Sequence, residues 1–473
     1  MTRTLAADTT NLVGQNITLH GWVHVRRDMG KIIFVHLRDR SGQVQVVFVP
    51  GECPDYELAK TLRDEFVVEI TGQVAERGPK NVNKNMPTGT VEVQARSLTI
   101  LSAAQTPPFP LDDTKGVNEE RRLTYRYLDL RSQRMQHNIR ARSAIANFFR
   151  RFLVGEGFAE IETPYVTKGT PEGAREFLIP SRLHPGEFYV LPQSPQQFKQ
   201  LLMVGGMERY FQIARCFRDE DQRGDRQPEF TQLDLEMSFV GQDDVLDLTE
   251  RMFTQLVKEL YPQKHITQTP FPRIPYDEAM KKWGSDKPDI RKDKNDPDEL
   301  GFCFVVDFPL FEYSTTDKKL VSTHHLFTSP QAQDIPLLDT DPAKVKGQQY
   351  DFVLNGFEIA GGSIRIHNQD LQRKIFKILH LTDEEIDSKF GHMLRAFSYG
   401  VPPHGGIAPG LDRIVMLLQN EPNIREVIAF PKTGDGRDLM MGAPSPLPPA
   451  MLREAHIYPV PQSSSLKGRK ARI

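Results

Sequence analysis

Charged and amide side chains crowd the segment FRDEDQRGDRQPEFTQLDLEMSF at residues 217–239. If FRDE is a strand, Arg218 and Glu220 share one face, and Gln232, Asp234 and Glu236 share one face of the strand that follows the polar, Gly-containing tip. Such an array of acids, amides and arginine is costly unless the groups meet ligands. The alternative is a polar face in solvent, and the pattern alone does not exclude it.

A second cluster, YDFVLNGFEIAGGSIRIH at residues 350–367, has Asn355-Gly356 between apolar alternating runs. This dipeptide is the strongest short-range signal for a β-hairpin. A two-residue turn places Val353 opposite Glu358, so Asp351 and Glu358 become diagonal neighbours on one face. Diagonal pairs lie about 7–8 Å apart at the backbone, a span that two carboxylates can close around one Mg²⁺.

The third cluster, YGVPPHGGIAPGLDRIVMLL at residues 399–418, predicts a Gly-rich strand or turn followed by an amphipathic helix that opens with Arg413. An arginine in that position suits the terminal phosphate of a nucleotide. The sequence contains neither GxGxxG nor GxxxxGK[ST], which excludes binding through either phosphate loop.

The elements that must position these clusters predict an α+β domain. Ile145, Phe148, Phe149 and Phe152 recur at helical spacing, and glycines at 155 and 157 should end that helix. Strand-like and helical segments then mix without regular βαβ alternation up to about residue 460.

The first hundred residues predict five short strands with one helix, DYELAKTLRDE, between the third and fourth strands. This order is that of an OB-fold barrel, with other small β-barrels as the alternative. A Pro-rich stretch, AQTPPFPLDDTKG, follows as a linker. The predicted organisation is an OB-fold domain at 1–104, a linker at 105–131, a second domain at 132–462 and a basic flexible tail at 463–473.

Composition narrows the class of protein further. Apolar residues are 38% and charged residues 26% of 473, which is ordinary for a globular protein, and the net charge of -2 requires any nucleic-acid partner to meet local basic patches. We find no membrane-length apolar run, no signal peptide and no CxxC spacing among the three cysteines. We therefore expect a cytoplasmic protein without a membrane partner.

The three clusters together resemble the class II aminoacyl-tRNA synthetases. Residues 139–164 match their first motif, Phe217–Glu220 their second and Gly410–Arg413 their third. Within that class, TPEGAR (170–175), LPQSPQQFKQLLM (191–203) and RQPEFTQ (226–232) are similar to bacterial-type aspartyl-tRNA synthetases over nearly the whole chain. The implied fold is a mostly antiparallel sheet flanked by helices, joined to an N-terminal OB-fold barrel.

The resemblance implies roles around ATP and Mg²⁺. Arg218 would bind the α-phosphate and the substrate α-carboxylate, Glu220 the adenine amino group, Phe230 the adenine face and Arg413 the γ-phosphate. Asp351 and Glu358 would hold the metal. The implied ATP-binding set is Arg218, Glu220, Gln227, Phe230, Glu358, Gly410, Leu411, Asp412 and Arg413, of which Arg218, Glu358 and Arg413 would be catalytic.

The implied reaction is attack of aspartate on the α-phosphate of ATP, followed by transfer of the aspartyl group to the 3′ end of tRNA. A pocket for aspartate needs cations against its side-chain carboxylate, and Lys199 and Arg365 occupy the matching positions. The implied aspartate set is Glu172, Ser194, Gln196, Lys199, Arg218, Asp234, His324 and Arg365. Arg27, Phe34 and Gln45 match positions that contact the anticodon, and a homodimer is implied by the first motif.

The chain departs from the family pattern in three places. Residues 276–303 run almost directly across the position of a large insertion domain, which is therefore missing. Leu326 stands where the family has a φ-fixing proline, which should loosen the loop of His324. Ala360 replaces a glycine, which predicts an ordinary β conformation there.

Two alternative functions and one question of tRNA specificity follow from these patterns. An asparaginyl- or lysyl-tRNA synthetase shares the barrel and the core. A tRNA-binding regulator without catalysis should lack Arg218, Glu358 or Arg413, and all three are present. The sequence does not show whether the protein charges tRNA(Asp) alone or tRNA(Asn) as well. Met29 in the RRDMG loop is a flexible apolar residue, and it does not discriminate between the two tRNAs.

Overall fold

The computed structural model describes residues 2–169, 173–316 and 318–458, in two compact units that divide between Thr114 and Lys115. The linker predicted at 105–131 spans this division. The first unit consists of β1 (Arg3–Thr4), β2 (Asn16–Met29), β3 (Ile32–Asp39), β4 (Gly42–Phe48), α1 (Tyr56–Ala59), β5 (Val67–Glu76) and β6 (Val91–Ser102).

The first unit is a closed barrel, because its strands follow the order β1-β2-β3-β4-β6-β5 and β2 also pairs with β5. Alternation along β3 buries Ile33, Val35 and Leu37 in the barrel interior and turns Phe34 to the other face. The OB-fold prediction is confirmed. The helix is much shorter than DYELAKTLRDE, because the chain turns after Ala59 and reaches a positive φ of 67° at Glu65.

The second unit holds the remaining elements. These are α2 (Glu119–Thr124), α3 (Arg126–Asp129), α4 (Gln133–Gly155), β7 (Ala159–Glu160), β8 (Phe177–Pro180), β9 (Phe188–Leu191), α5 (Gln196–Val204), β10 (Arg209–Phe217), β11 (Glu229–Ser238), α6 (Gln242–Leu260), β12 (His265–Ile266), β13 (Arg273–Pro275), α7 (Tyr276–Trp283), β14 (Glu299–Leu300), β15 (Phe302–Val306), β16 (Phe311–Ser314), β17 (Lys319–Ser322), β18 (Gln349–Leu354), β19 (Phe357–Ile364), α8 (Gln369–Ile378), α9 (Asp383–Phe397), β20 (His404–Pro409), α10 (Leu411–Leu418) and α11 (Pro449–Glu454).

Eight of these strands form one sheet in the order β13-β15-β18-β19-β20-β11-β10-β7. All neighbours in it are antiparallel except the edge pairs β13–β15 and β10–β7, so the prediction of a mostly antiparallel sheet is confirmed. The main core lies between this sheet and helices α4, α6 and α10, and includes Ile145, Phe148 and Phe149 as predicted. Helix α4 ends at Gly155, and Gly157 has a φ of 83°.

The hairpin of β18 and β19 has the predicted register, with Val353 opposite Glu358. Asn355 and Gly356 both have positive φ values, 51° and 83°, which is the turn that Asn-Gly favours. A bulge at this end of β19 shifts the pairing, so that Asp351 lies opposite Gly361. Ala360 is an ordinary strand residue opposite Phe352, as its replacement of glycine predicts.

Candidate functional site

A cavity of about 500 Å³ opens over the strands β11, β19 and β20. Most of the predicted site residues line it. They are Ser194, Gln196, Lys199, Arg218, Glu220, Gln227, Phe230, Asp234, His324, Glu358, Arg365, Gly410, Asp412 and Arg413. The fold therefore brings three sequence-distant clusters around one space.

Two described residues of the predicted ATP and metal sites, Leu411 and Asp351, do not line the cavity. The side chain of Leu411 packs in the main core, because the apolar face of α10 turns toward the sheet. Asp351 is buried beside Gly361, where an added Cβ atom would lie 3.4 Å from Asp351 Oδ1. Glu172 lies outside the described residues, as does the tail at 463–473.

Arg218 stands just beyond the end of β10, which stops at Phe217. FRDE is thus not a strand beyond its first residue, because the chain leaves the sheet where the polar tip begins. The backbone N–H of Arg218 donates to Pro228 O at 2.8 Å, and its guanidinium lies over the Phe230 ring at 5.1 Å from the centroid. Its buried Nε has no hydrogen-bond partner within the described residues, so a donor remains for a ligand.

Asp351 carries a second buried polar atom without a partner in the described chain, Oδ1. Burial, reinforced by the carboxylates of Glu358 and Asp286, raises the pKa of Asp351 well above its usual range. A bound cation would reverse this effect. Groups of three or more potential metal ligands are absent from the described residues, so phosphate oxygens and water would complete the coordination of an ion held by this pair.

Arg413 lies in the first turn of α10, as predicted. It donates to the backbone oxygen of Glu358 at 2.6 Å and pairs with Asp225 at 3.0 Å. Asp225 comes from the polar tip of the hairpin between β10 and β11, and no sequence pattern singled it out. The contact joins the tip of the hairpin to Arg413, which is the residue expected to bind the γ-phosphate.

Gln227 and Asp412 have structural partners in addition to facing the cavity. The amide of Gln227 accepts from Lys432 N at 2.7 Å and donates to Lys432 O at 3.2 Å. Asp412 pairs with Arg142 of α4 and accepts from Thr231 N at 2.9 Å. Both side chains fix the walls of the cavity, because they join segments that are far apart in sequence.

Behind the cavity wall formed by Lys199, Asp234 and Arg365 is a buried cluster of two carboxylates and two cations. Lys199 Nζ is 2.8 Å from Asp234 Oδ2 and 3.4 Å from Glu236 Oε2. Asp234 Oδ1 has no hydrogen-bond partner among the described residues, and burial raises the pKa of its carboxyl against the opposing effect of Lys199. An ammonium group of a ligand would satisfy that oxygen.

Protein acceptors surround the guanidinium group of Arg365. Glu236 accepts from Nε at 2.9 Å and from Nη2 at 3.1 Å, Gly406 O accepts at 3.4 Å, and Ser363 Oγ accepts from Nη1 at 2.6 Å. His325 Nε2 contacts Nη1 as well. All five donors of Arg365 thus have protein partners, whereas Lys199 has three donors and two carboxylate partners. Lys199 is therefore the better placed direct ligand for a carboxylate in the cavity.

Glu236 is a site residue that the sequence placed on a polar face without a role. It is fully buried and lies between Lys199 and Arg365. Burial alone would raise its pKa, but Arg365 and Lys199 outweigh burial and bring the pKa to about 2. Gly406 makes room for it, because a side chain there would begin 2.2 Å from Glu236 Oε2.

Glu236→Gln is expected to destabilise the second unit at neutral pH. The pKa of this carboxyl is about 2 in the folded protein, which is below its pKa in the unfolded chain. The carboxylate therefore stabilises the fold at pH values above the unfolded-state pKa, and this stabilisation is lost as the pH falls to the folded-state pKa. We expect the variant to lose about 3 kcal/mol of unfolding free energy at pH 7, and the difference from the native protein to narrow between pH 5 and pH 2. Urea unfolding at several pH values measures it. The exposed Glu278→Gln is the control, and a pH-independent difference would contradict the assignment.

The rings of His324 and His325 are in contact, with their centroids 4.6 Å apart and their planes tilted by 45°. Burial, with Arg365 adding to it, lowers the pKa of His324 to about 4, so the ring is neutral at pH 7. The loop that carries them is anchored at Leu326, whose side chain packs against two apolar clusters and whose oxygen accepts from Gln372 at 2.9 Å. No sequence pattern indicated the contact of His325 with Arg365, which joins residues 40 positions apart.

The first unit has its own polar surface. Arg27 pairs with Phe34 across β2 and β3, and His36 pairs with Gln45 across β3 and β4, so these residues share one face. Phe34 is half-buried on this face and Arg27 is exposed. Gln45 donates to Glu92 at 2.9 Å, and the buried Arg77 lies 3.6 Å from the same carboxylate.

Comparison with known proteins gives consistent matches. Residues 118–434 match the family described as class II tRNA synthetases (D, K and N), and residues 17–101 match the OB-fold nucleic acid binding domain family. The chain is similar to an aspartate–tRNA(Asp/Asn) ligase of Rubrobacter xylanophilus, with 45% identity over 94% of each chain. It is also similar to an aspartate–tRNA ligase of Lysinibacillus sphaericus, with 41% identity over 96% of this chain and 98% of the relative.

The alignment to the Rubrobacter protein is 568 positions long and covers 94% of this chain of 473 residues, so the relative has segments with no counterpart here. Among solved structures, asparaginyl-tRNA synthetase of Pyrococcus horikoshii with asparaginyl-adenylate matches with a TM-score of 0.74 and 23% identity over 92% of this chain and 98% of that one. This likeness concerns the fold.

Proposed function

The chain belongs to the class II tRNA synthetases of the aspartate, lysine and asparagine group, and on that premise we propose that it activates L-aspartate with ATP and transfers it to tRNA. The observation that carries the proposal is the ammonium group of Lys199 at the cavity wall, 2.8 Å from Asp234. The ammonium group of Lys199 has a free donor for the side-chain carboxylate of aspartate. The neighbouring Asp234 has an oxygen without a hydrogen-bond partner in the described chain, which can accept from the amino group of aspartate.

In this proposal, aspartate lies between the ion cluster and Arg218. Asp234 Oδ1 binds the amino group, Lys199 and the charge of Arg365 bind the side-chain carboxylate, and Arg218 orients the α-carboxylate toward the α-phosphate. Ser194, Gln196 and the neutral His324 line the same space. No protein nucleophile is needed, because the substrate carboxylate is itself the attacking group and catalysis depends on position and charge.

ATP would extend from Phe230 and Glu220 at the adenine end to Arg413 at the γ-phosphate. Gln227 fixes the hairpin over it through Lys432. Asp351 and Glu358 fit Mg²⁺, because both are oxygen donors and Asp351 Oδ1 has no other partner in the described chain. When bound, the ion supplies positive charge to the phosphate oxygens.

The proposal is tested by charging purified tRNA(Asp) and tRNA(Asn) side by side with labelled aspartate. Label on tRNA(Asp) is expected. Label on both would extend the specificity to the pair of tRNAs named for the Rubrobacter relative. Absence of label from both, with a folded protein, would contradict the proposed function.

Phe34→Ala is expected to weaken tRNA binding by about 1–3 kcal/mol, the value of one base stacked on an aromatic ring. The ring is half-buried on the face that carries Arg27 and Gln45, and it does not belong to the barrel core. Filter binding of tRNA measures the loss. Aspartate-dependent ATP–pyrophosphate exchange, which needs no tRNA, should be unchanged, and a parallel fall in exchange would contradict the assignment.

We also propose a homodimer and a cytoplasmic location. The segment that follows α4 and β7 presents Tyr165 and Val166 to solvent, 39% and 52% exposed. These apolar side chains support an interface at the first motif. Light scattering at micromolar concentration should give twice the chain mass, and a monomer would contradict the dimer. No helix within the described residues is long and apolar enough to cross a membrane.

A further inference from the structure

The segment that replaces the insertion domain is a folded loop between α7 and β14. The carboxylate of Glu299 accepts from Lys292 N at 2.9 Å and from Asp293 N at 2.8 Å, which closes the loop on itself. Arg291 pairs with Asp289 through two donors at 3.0 and 2.8 Å. These contacts within the loop stabilise its fold.

The loop packs on the turn of the β18–β19 hairpin. A side chain at Gly356 would begin 3.4 Å from Asp289 Cβ. Asn355 accepts from Gly301 N at 2.7 Å and donates to Glu299 O at 3.2 Å. The turn that sets the register of Asp351 and Glu358 is therefore hydrogen-bonded to β14 and the residue after it, and the loop lies against the turn at Asp289.

This packing brings Lys287 to the carboxylate pair. Lys287 Nζ lies 3.2 Å from Glu358 Oε2, and the two side chains are 37% and 33% exposed. Asp351 Oδ1, deeper in the same pair, has no hydrogen-bond partner among the described residues. Two carboxylates side by side repel unless a cation accompanies them, and Lys287 is the cation that the fold supplies.

We propose that Lys287 is the resident counter-cation of the Asp351–Glu358 pair, and that it releases Glu358 when a divalent cation binds. The inference rests on the proposed function, in which this pair holds the metal of ATP. Lys287 is a positioning residue in this role. It holds the Glu358 carboxylate in place in the metal-free enzyme, and it weakens metal binding because metal and ammonium compete for that one carboxylate.

The test measures Mn²⁺ binding by electron paramagnetic resonance in the native protein, in Lys287→Met and in Lys281→Met. Lys281 is an exposed lysine of α7 and serves as the matched control. We expect Lys287→Met to bind Mn²⁺ about fivefold more tightly, the factor that corresponds to a half-exposed ion pair. The control should equal the native protein. Equal or weaker binding by Lys287→Met would overturn the inference.

Thermal unfolding provides a second readout. In EDTA, Lys287→Met should unfold at a lower temperature than the native protein, and Mn²⁺ should raise its midpoint by more than it raises the native one. A metal-induced shift no larger than the native shift would overturn the inference. Aspartate-dependent exchange by the native protein is measured in parallel. Its absence would contradict the proposed function, whereas equal Mn²⁺ affinities contradict only the role of Lys287.

Discussion

Arg218→Lys is expected to lower aspartate-dependent ATP–pyrophosphate exchange by about 10²–10³-fold. This is the usual effect of removing one preorganised hydrogen-bond donor that stabilises the negative charge of the transition state. A lysine keeps the positive charge but loses the planar, two-donor geometry that can bind a carboxylate and a phosphate together. The buried Nε without a partner in the described chain indicates that the guanidinium is arranged for a ligand and not for the fold.

The stability of Arg218→Lys should stay close to that of the native protein. The side chain of Arg218 has its ring contact with Phe230, and its backbone bond to Pro228 does not depend on the side chain. Arg223→Lys at the exposed tip of the same hairpin is the matched control and should retain full exchange. Native exchange by Arg218→Lys would remove this residue from the reaction, and a fall by Arg223→Lys would indicate a general effect of the hairpin.

Lys199→Met is expected to lower kcat/KM for aspartate by about 10²-fold or more, because the side-chain carboxylate of the substrate loses its direct cation. The same change leaves Asp234 and Glu236 with Arg365 alone, so the variant should also unfold more easily. ATP binding separates the two effects. In the proposed function ATP binds at Phe230, Glu220 and Arg413 and does not contact Lys199, so the affinity for ATP, measured by calorimetry, should be unchanged.

Lys199→Arg is the companion variant. It keeps the charge beside Asp234 but brings a larger, planar group into a buried site. It should restore most of the stability and only part of the activity. If Lys199→Met lost ATP and aspartate binding equally, the residue would be structural; if it kept native kcat/KM for aspartate, the assignment of the aspartate pocket would be wrong.

Local patterns predicted the parts of the site that depend on neighbours in sequence. The Asn355-Gly356 dipeptide indicated a two-residue turn, and the length of that turn put Glu358 opposite Val353. The bulge after that pair was not predictable, because it depends on how β19 fits between β18 and β20. Helical spacing likewise predicted the core face of α4.

Local sequence patterns could not predict contacts between segments that are distant in the chain. Glu236 and Arg365 are 129 positions apart, and the burial that makes their pairing strong exists only after the sheet has formed. Lys287 reaches Glu358 because the shortened loop folds back on the hairpin turn. A row of charged residues in sequence does not reveal which of them lose contact with water.

The most direct test of the proposed activity is amino-acid-dependent ATP–pyrophosphate exchange by the purified chain with Mg²⁺, comparing aspartate, asparagine and lysine at equal concentrations. We expect exchange with aspartate and none above background with asparagine or lysine, even without the insertion domain. Exchange with asparagine or lysine but not with aspartate would contradict the proposal.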